Sequence, residues 1–332
     1  MNVSGVKLIC PDGIDERRQE TGPLLSGFVL LLSMAALYLS SELLIRGSRA
    51  LASYAGWSRE AMGAVLISIS TAAPEVLTGA ISSLRGAPQI GVGTLLGSTV
   101  VVTTFVPSLL VLVKGGISSK GSLGGREALV STLSSATAVF LLLGGVLDRY
   151  TGLALMAGYT IYVYYIARGE AMDQNNPPNR VGKRKLVGVM LMLVLSSLLI
   201  YVSAEYSVDA SLGLAAAFAI PDFIVGVLIL GIGVELPEIV ISLLSSGRGD
   251  KGMALGSVLG SNTAKALLGL GVMGALSGDL AMQPTTAVLS SAFFALISPA
   301  LLYVFMRRGA DLSKLDALPL LVVYVLYVFL VV

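Results

Sequence analysis

The chain has 332 residues, 55% of them hydrophobic and only 13% charged, with a formal net charge of +2. Its mean hydropathy of +0.85 excludes an ordinary soluble domain, and its apolar runs are long enough to cross a bilayer. It has no histidine, which removes the usual proton carrier near neutral pH and the commonest transition-metal ligand, and its single cysteine, Cys10, excludes an internal disulfide.

Residues 1–23 carry seven charges and a Pro-Asp-Gly turn. They lack the basic-then-apolar order of a signal peptide and read as a solvated tail. Ten apolar spans come next, at about 24–52, 60–84, 88–113, 127–147, 151–167, 186–212, 222–246, 252–276, 285–305 and 316–332. The polar run RGEAMDQNNPPNRVGKRK, Arg168 to Lys185, separates five spans from five. This predicts a tail (1–23), a first unit (24–168), a linker (169–185) and a second unit (186–332).

Spans two and three contain STAAPEVLTGAISSLRGAPQIGVGTLLGST, Ser70 to Thr99, and spans seven and eight contain GVELPEIVISLLSSGRGDKGMALGSVLGSN, Gly233 to Asn262. The two segments are copies in register: Glu75 precedes Gly93, the first glycine of Gly-x-x-x-Gly-Ser, by the same interval that separates Glu238 from Gly256. Proline lacks an amide hydrogen, so Pro74 and Pro237 cannot bond the carbonyls of Ser70 and Gly233. A free carbonyl at membrane depth requires a cavity or an ion, and Glu75 and Glu238 place negative charge beside it. Such oxygen ligands suit hard cations. Gly93 with Gly97, and Gly256 with Gly260, allow close helix approach, and Ser98 and Ser261 add hydroxyls next to that contact. A glycine pair alone signals only packing, and a lone proline a tolerated kink. The coincidence of all three features at one spacing in both units points to a site.

Lysines and arginines divide unevenly between the two faces: five on the side of the N-terminal tail and sixteen on the other, with Lys265 inside span eight. The positive-inside rule makes the second face cytoplasmic, so both termini lie outside a cell membrane and the linker 169–185 lies inside. Five crossings are an odd number, so the second unit enters the membrane from the opposite side. Inverted repeats of this kind let a central site open alternately to either side.

A duplicated Pro-Glu motif followed by G-x-x-x-G-S resembles the alpha repeats of the cation/Ca²⁺ antiporter superfamily, which includes the Na⁺/Ca²⁺ exchangers. The similarity extends to ELLIRGSRALASYAG, Glu42 to Gly56, and to Glu205–Leu212. The resemblance implies ions held between helices 2, 3, 7 and 8, with helices 1 and 6 moving as a gate. It also implies Thr71, Glu75, Ser98, Glu238 and Ser261 as ligands. The chain departs from the family pattern at Ala72, Val234 and Glu235, at Thr94 and Ser257, and at Val102 and Lys265. Glu235 takes a serine's place in the site and stands among the candidate ligands, close before Glu238 in sequence. A Glu235–Lys265 ion pair is expected from these two changes, since a lone charge there would be strongly destabilising. The ammonium would then stand where a cation otherwise binds. Glu75, Glu235, Glu238 and Lys265 together leave a net charge of minus two.

The sequence therefore predicts an all-α polytopic membrane protein: ten transmembrane helices in two inverted five-helix repeats, surrounded by lipid, with small cations as substrates and no nucleic-acid partner. The expected activity is Na⁺/Ca²⁺ antiport by alternating access, without a cofactor. A cation/H⁺ antiporter or a uniporter of the same fold is the alternative, and an ion channel would need a continuous pore. An enzyme is disfavoured by the absence of histidine and of any nucleophile and base constellation. No phosphate-cradling Gly-x-x-x-x-Gly-Lys-Ser/Thr loop occurs, so an ion gradient would supply the energy.

Overall fold

The computed structural model describes residues 22–55, 62–115, 124–145, 147–170, 182–236, 238–239, 242–243, 251–278, 280, 282–308 and 312–331. Cys10 and Pro237 lie outside the described residues, as do the tail and most of the linker. Among the described residues there are helices and no strands. They are α1 (Pro23–Ala55), α2 (Ser68–Leu84), α3 (Pro88–Val100, resumed at Val106–Lys114), α4 (Gly124–Leu143) and α5 (Arg149–Glu170). After these come α6 (Lys183–Phe218), α7 (Asp222–Val225, resumed at Gly231–Gly233), α8 (Lys251–Thr263, resumed at Leu270–Ser277), α9 (Thr286–Arg307) and α10 (Lys314–Val331).

Among the described residues, seven helices are long and apolar enough to span a bilayer, against the ten spans expected from the sequence: α1, α2, α3, α4, α6, α9 and α10. Of the others, α7 contributes an apolar helical stretch over Asp222–Gly233 among the described residues, and α8 carries Ser257, Ser261, Asn262, Thr263 and Lys265. Boundaries shift as well. Helix α6 runs to Phe218 rather than 212, and the polar run expected as linker begins and ends in helix, within α5 and α6.

Four π-helical turns interrupt or precede these helices: Met62–Ile67 before α2, Val101–Phe105 within α3, Gly226–Leu230 within α7 and Ala264–Gly269 within α8. Val101 and Ala264, which open two of them, occupy equivalent positions in the two units, as do Ile67 and Leu230, which close the other two. The offset is that of the sequence motifs. Each π turn inserts an extra residue into the helical register and re-aims the side chains after it.

Burial separates the helices into two groups. In their most apolar stretches α2 and α3 are 72% and 78% buried, whereas α6 is 17% buried. Helix α6 therefore presents Leu191, Val194, Leu195 and Leu198 outward, and lies along α1. The α1–α6 seam contains small polar residues: Ser33, Ser40, Ser196 and Ser207 are buried, and the Ser207 hydroxyl donates to Ser33 Oγ at 2.8 Å. Helix α2 packs on α3, α6 and α8; α4 packs on α8 and α9; and α5 packs on the second half of α8. The helices richest in polar side chains thus occupy the middle, enclosed by apolar neighbours.

Helix ends obey local chemistry. Asp148 Oδ1 accepts from Thr151 N at 2.8 Å while Thr151 Oγ1 accepts from Asp148 N at 2.8 Å, a reciprocal cap on α5. Ser313 and Asp316 close the start of α10, with Ser313 N donating to Asp316 Oδ2 at 2.9 Å. Thr285 Oγ1 caps α9 by accepting from Val288 N.

Candidate functional site: a buried carboxylate and ammonium cluster

Helices α2, α3, α7 and α8 meet because their glycines remove the side chains that would hold them apart. A Cβ at Gly93 would stand 2.4 Å from Phe223 O, one at Gly97 2.7 Å from Val227 O, and one at Gly226 2.2 Å from Ile90 O. Helices α3 and α7 therefore touch backbone to backbone. Gly256 and Gly260 are buried in α8, which packs on α2, on α4 and on the π turn before α2.

Around this contact Glu75, Glu235, Glu238 and Lys265 are all 1% exposed or less. Pro74 is buried within an unbroken α2 and places Glu75 on its inner face. Helix α7 leaves its regular course at Val234 and Glu235, and Glu238 comes shortly after. Lys265 is the second residue of the Ala264–Gly269 π turn. Its ammonium donates to Glu235 Oε1 and lies 3.4 Å from Glu75 Oε1. One cation thus joins carboxylates from the two halves of the sequence. The sequence pairs Lys265 with Glu235 alone. The contact with Glu75 adds a partner from the other unit, and no local pattern signals it.

Glu238 is held differently. Ser257 Oγ donates to Glu238 Oε1 at 2.7 Å, and the Thr71 hydroxyl also lies within its reach. Thr71 Oγ1 is 3.1 Å from Ser68 O as well, and its single proton serves one of these acceptors at a time. Ser98 Oγ donates to Leu95 O at 3.2 Å, while Ser261 Oγ has no protein partner. The second oxygens of Glu75, Glu235 and Glu238 are likewise buried without a hydrogen bond. Burial of four such oxygens without donors is strongly destabilising unless a cation or water meets them.

Among the described residues no three acidic, histidine or cysteine side chains converge closely enough to hold a metal ion alone. The ammonium of Lys265 stands among the carboxylates that would otherwise have to close around a cation. Lys265 borders a small cavity lined also by Leu95, Leu96, Thr99, Ser135, Val139 and Leu270. Beside it Asn262 Nδ2 donates to Ser131 Oγ and Ser135 Oγ, each at 2.8 Å, and ties α8 to α4. The sequence motifs did not single out Ser131 or Ser135, because neither stands in a repeated segment. The positions equivalent to Glu235 and Lys265 in the first unit are Ala72 and Val102, both fully buried and both without a polar side chain.

On one face, Arg85 Nη2 at the end of α2 reaches Glu205 Oε1 at 2.5 Å and Asp209 Oδ2 at 3.5 Å on α6. These partners are partly exposed, and they fasten the peripheral helix to the buried pair α2 and α3.

The family model "Sodium/calcium exchanger protein" matches residues 25–168 and 188–332. A protein of Methanosarcina acetivorans, the sodium/calcium exchanger MaX1, is 26% identical over 340 residues, covering 90% of this chain and 96% of its own length. An uncharacterized membrane protein of Methanocaldococcus jannaschii is 29% identical over 299 residues, 89% of this chain and 94% of that one. A solved structure of the sodium-calcium exchanger NCX_Mj has a TM-score of 0.69 at 26% identity and covers 93% of this chain and 99% of that chain. The chain belongs to the sodium/calcium exchanger protein family and is a multi-pass membrane transporter of small cations.

Proposed function

We propose that the protein exchanges Na⁺ for Ca²⁺ by alternating access, through two inverted five-helix repeats in the cell membrane, with both termini outside and residues 169–185 cytoplasmic. Glu75 and Glu238 are the ligating carboxylates, and Thr71, Ser98, Ser261 and Glu235 supply further oxygens. The observation that carries this reading is the set of buried carboxylate oxygens without donors on Glu75, Glu235 and Glu238, gathered where α2, α7 and α8 meet. Hard cations are the partners that such oxygens hold. Lys265 is a fixed cation in the site, in the place of one transported ion, with Glu235 and Glu75 as its counter-ions.

An ion entering from one face displaces water from the free oxygens of Glu75 and Glu238, which neutralises the site and makes it easier to close apolar helices over it. Helices α1 and α6 pack along one another as a pair, with the Ser207–Ser33 hydrogen bond across their seam. Motion of that pair, with release of Arg85 from Glu205 and Asp209, would expose the site on alternate faces. The test is uptake of radiolabelled calcium into proteoliposomes under an outward sodium gradient, repeated with a pH gradient in its place. Uptake driven by sodium and not by protons is the expected outcome. Uptake driven only by protons, or by the calcium gradient alone, would replace this reading with cation/H⁺ antiport or uniport.

A further inference from the structure

Helix α1 meets the helices of the site along one line of side chains. At one end of that line Met34 lies against Gly233, where a Cβ would stand 2.5 Å from Met34 Cε. At the other end Ser48 Oγ is 2.7 Å from Ser70 Oγ. Ser70 and Gly233 are equivalent residues of the two units, each four positions before the proline of its motif. Ser41 stands midway, seven residues from Met34 and seven from Ser48. Seven residues make nearly two whole turns of an α-helix, so the three share one face at intervals of about 10 Å. Helix α1 thus spans both proline-bearing turns, with Ser41 between them.

Ser41 is fully buried, and its hydroxyl has no hydrogen-bond partner. A serine inside a helix commonly returns its proton to a carbonyl of the preceding turn. Ser33 does so to Leu30 O at 2.9 Å, and Ser40 to Ala36 O at 2.6 Å. Helix α1 packs on α2, whose inner face carries Thr71, Glu75 and Thr78 at helical spacing. Thr78 Oγ1 is likewise fully buried without a partner, whereas Ser68, Ser70, Thr71 and Ser82 of α2 all reach backbone carbonyls. The equivalent of Ser41 in the second unit is Ala204, fully buried and without a hydroxyl. Comparison of the two repeats therefore gives no sign of Ser41.

We infer that the Ser41 hydroxyl is a further oxygen ligand of the transported cation, supplied by α1 in addition to the carboxylates and hydroxyls of α2, α3, α7 and α8. The inference rests on the exchange reading given above. A hard cation such as Ca²⁺ collects six to eight oxygens, neutral ones among them. Lys265 already occupies one oxygen each of Glu75 and Glu235, which raises the share that neutral oxygens must carry. An ion held by Ser41 and by the free oxygens of Glu75 and Glu238 ties α1 to α2 and α7. An occupied site therefore holds α1 against the cluster, and an empty one releases it.

The test follows variants of the full-length protein by thermal unfolding in detergent and by calcium uptake into proteoliposomes under an outward sodium gradient. Ser41→Ala should raise the calcium concentration for half-maximal uptake about tenfold, the order expected for one lost neutral ligand. It should also reduce the rise in melting temperature that calcium produces. Without ions its melting temperature should be no lower than that of the unaltered protein, because alanine removes a buried hydroxyl that nothing satisfies. Ser41→Thr keeps the hydroxyl and should keep the affinity, and Ser40→Ala, which removes a hydroxyl serving its own helix, should leave both readings unchanged. An unchanged half-maximal concentration together with an unchanged calcium-induced rise in Ser41→Ala would overturn the inference. A loss confined to stability without ions would overturn it too, since packing alone explains that result. If Ser41→Ala does not fold, Ser41→Cys, with a thiol in place of an oxygen that suits hard cations, is judged by the same criteria. Absence of sodium-driven calcium uptake by the unaltered protein would overturn the exchange reading instead, and the calcium-induced rise in melting temperature would still decide the role of Ser41.

Discussion

The ammonium of Lys265 lies 3.4 Å from Glu75 Oε1 while donating to Glu235, so a single buried cation joins carboxylates from the two opposite halves of the chain. Removing it alone leaves both carboxylates without a counter-ion in a dry interior, which typically destabilises by about 3–5 kcal/mol. Lys265→Ala is therefore expected to unfold at markedly lower temperature, and Glu235→Ser combined with Lys265→Asp to recover part of that loss. A double-mutant cycle on ion affinity should show a coupling of at least about 1 kcal/mol between the two positions. Additive single effects would mean that the contact does not govern ion binding.

Glu75 and Glu238 differ in their partners, one beside an ammonium and the other beside hydroxyls. Both should be required for transport. Glu75→Gln and Glu238→Gln keep the shape of the side chain and remove its charge, and each should reduce calcium flux to background while the protein still elutes as one species in detergent. Normal flux in both variants would remove the proposed site.

The close approach of α3 and α7 makes Gly93 a sensitive position. In Gly93→Ala the new methyl group would meet Phe223 O at 2.4 Å, and overpacking of this kind destabilises typically by about 1–3 kcal/mol. Gly188→Ala on α6, where a Cβ meets nothing within 4 Å, serves as the control. Thermal unfolding in detergent should separate the two. Equal melting temperatures would show that the helices can part freely.

The imbalance of sixteen basic residues against five predicts that Cys10 is outside the cell. An impermeant thiol reagent applied to intact cells should label it. Labelling that requires an opened membrane would reverse the orientation, and with it the face on which Arg85 holds α6.

The membrane setting was legible in composition and hydropathy, because neither depends on any contact. The residues of the cluster were legible too: a charge inside an apolar run is visible without knowing its neighbours, and the constant offset between the two motif copies marks which positions belong together. Helices that face lipid could not be told from helices in the core, since both are apolar; packing shows that α2 and α3 are enclosed and α6 is not. Helix α8 shows the same limit from the other side: it lies in the interior yet carries serine, asparagine and lysine, so its hydropathy alone marks it less clearly than its packing does. That Lys265 reaches Glu75 as well as Glu235, and that Ser257 rather than Ser261 holds Glu238, emerged with the three-dimensional packing. The π turns explain why. Each extra residue rotates the side chains beyond it on the helix, and whether a helix accepts that insertion is settled by the neighbours it packs against and not by its own residues.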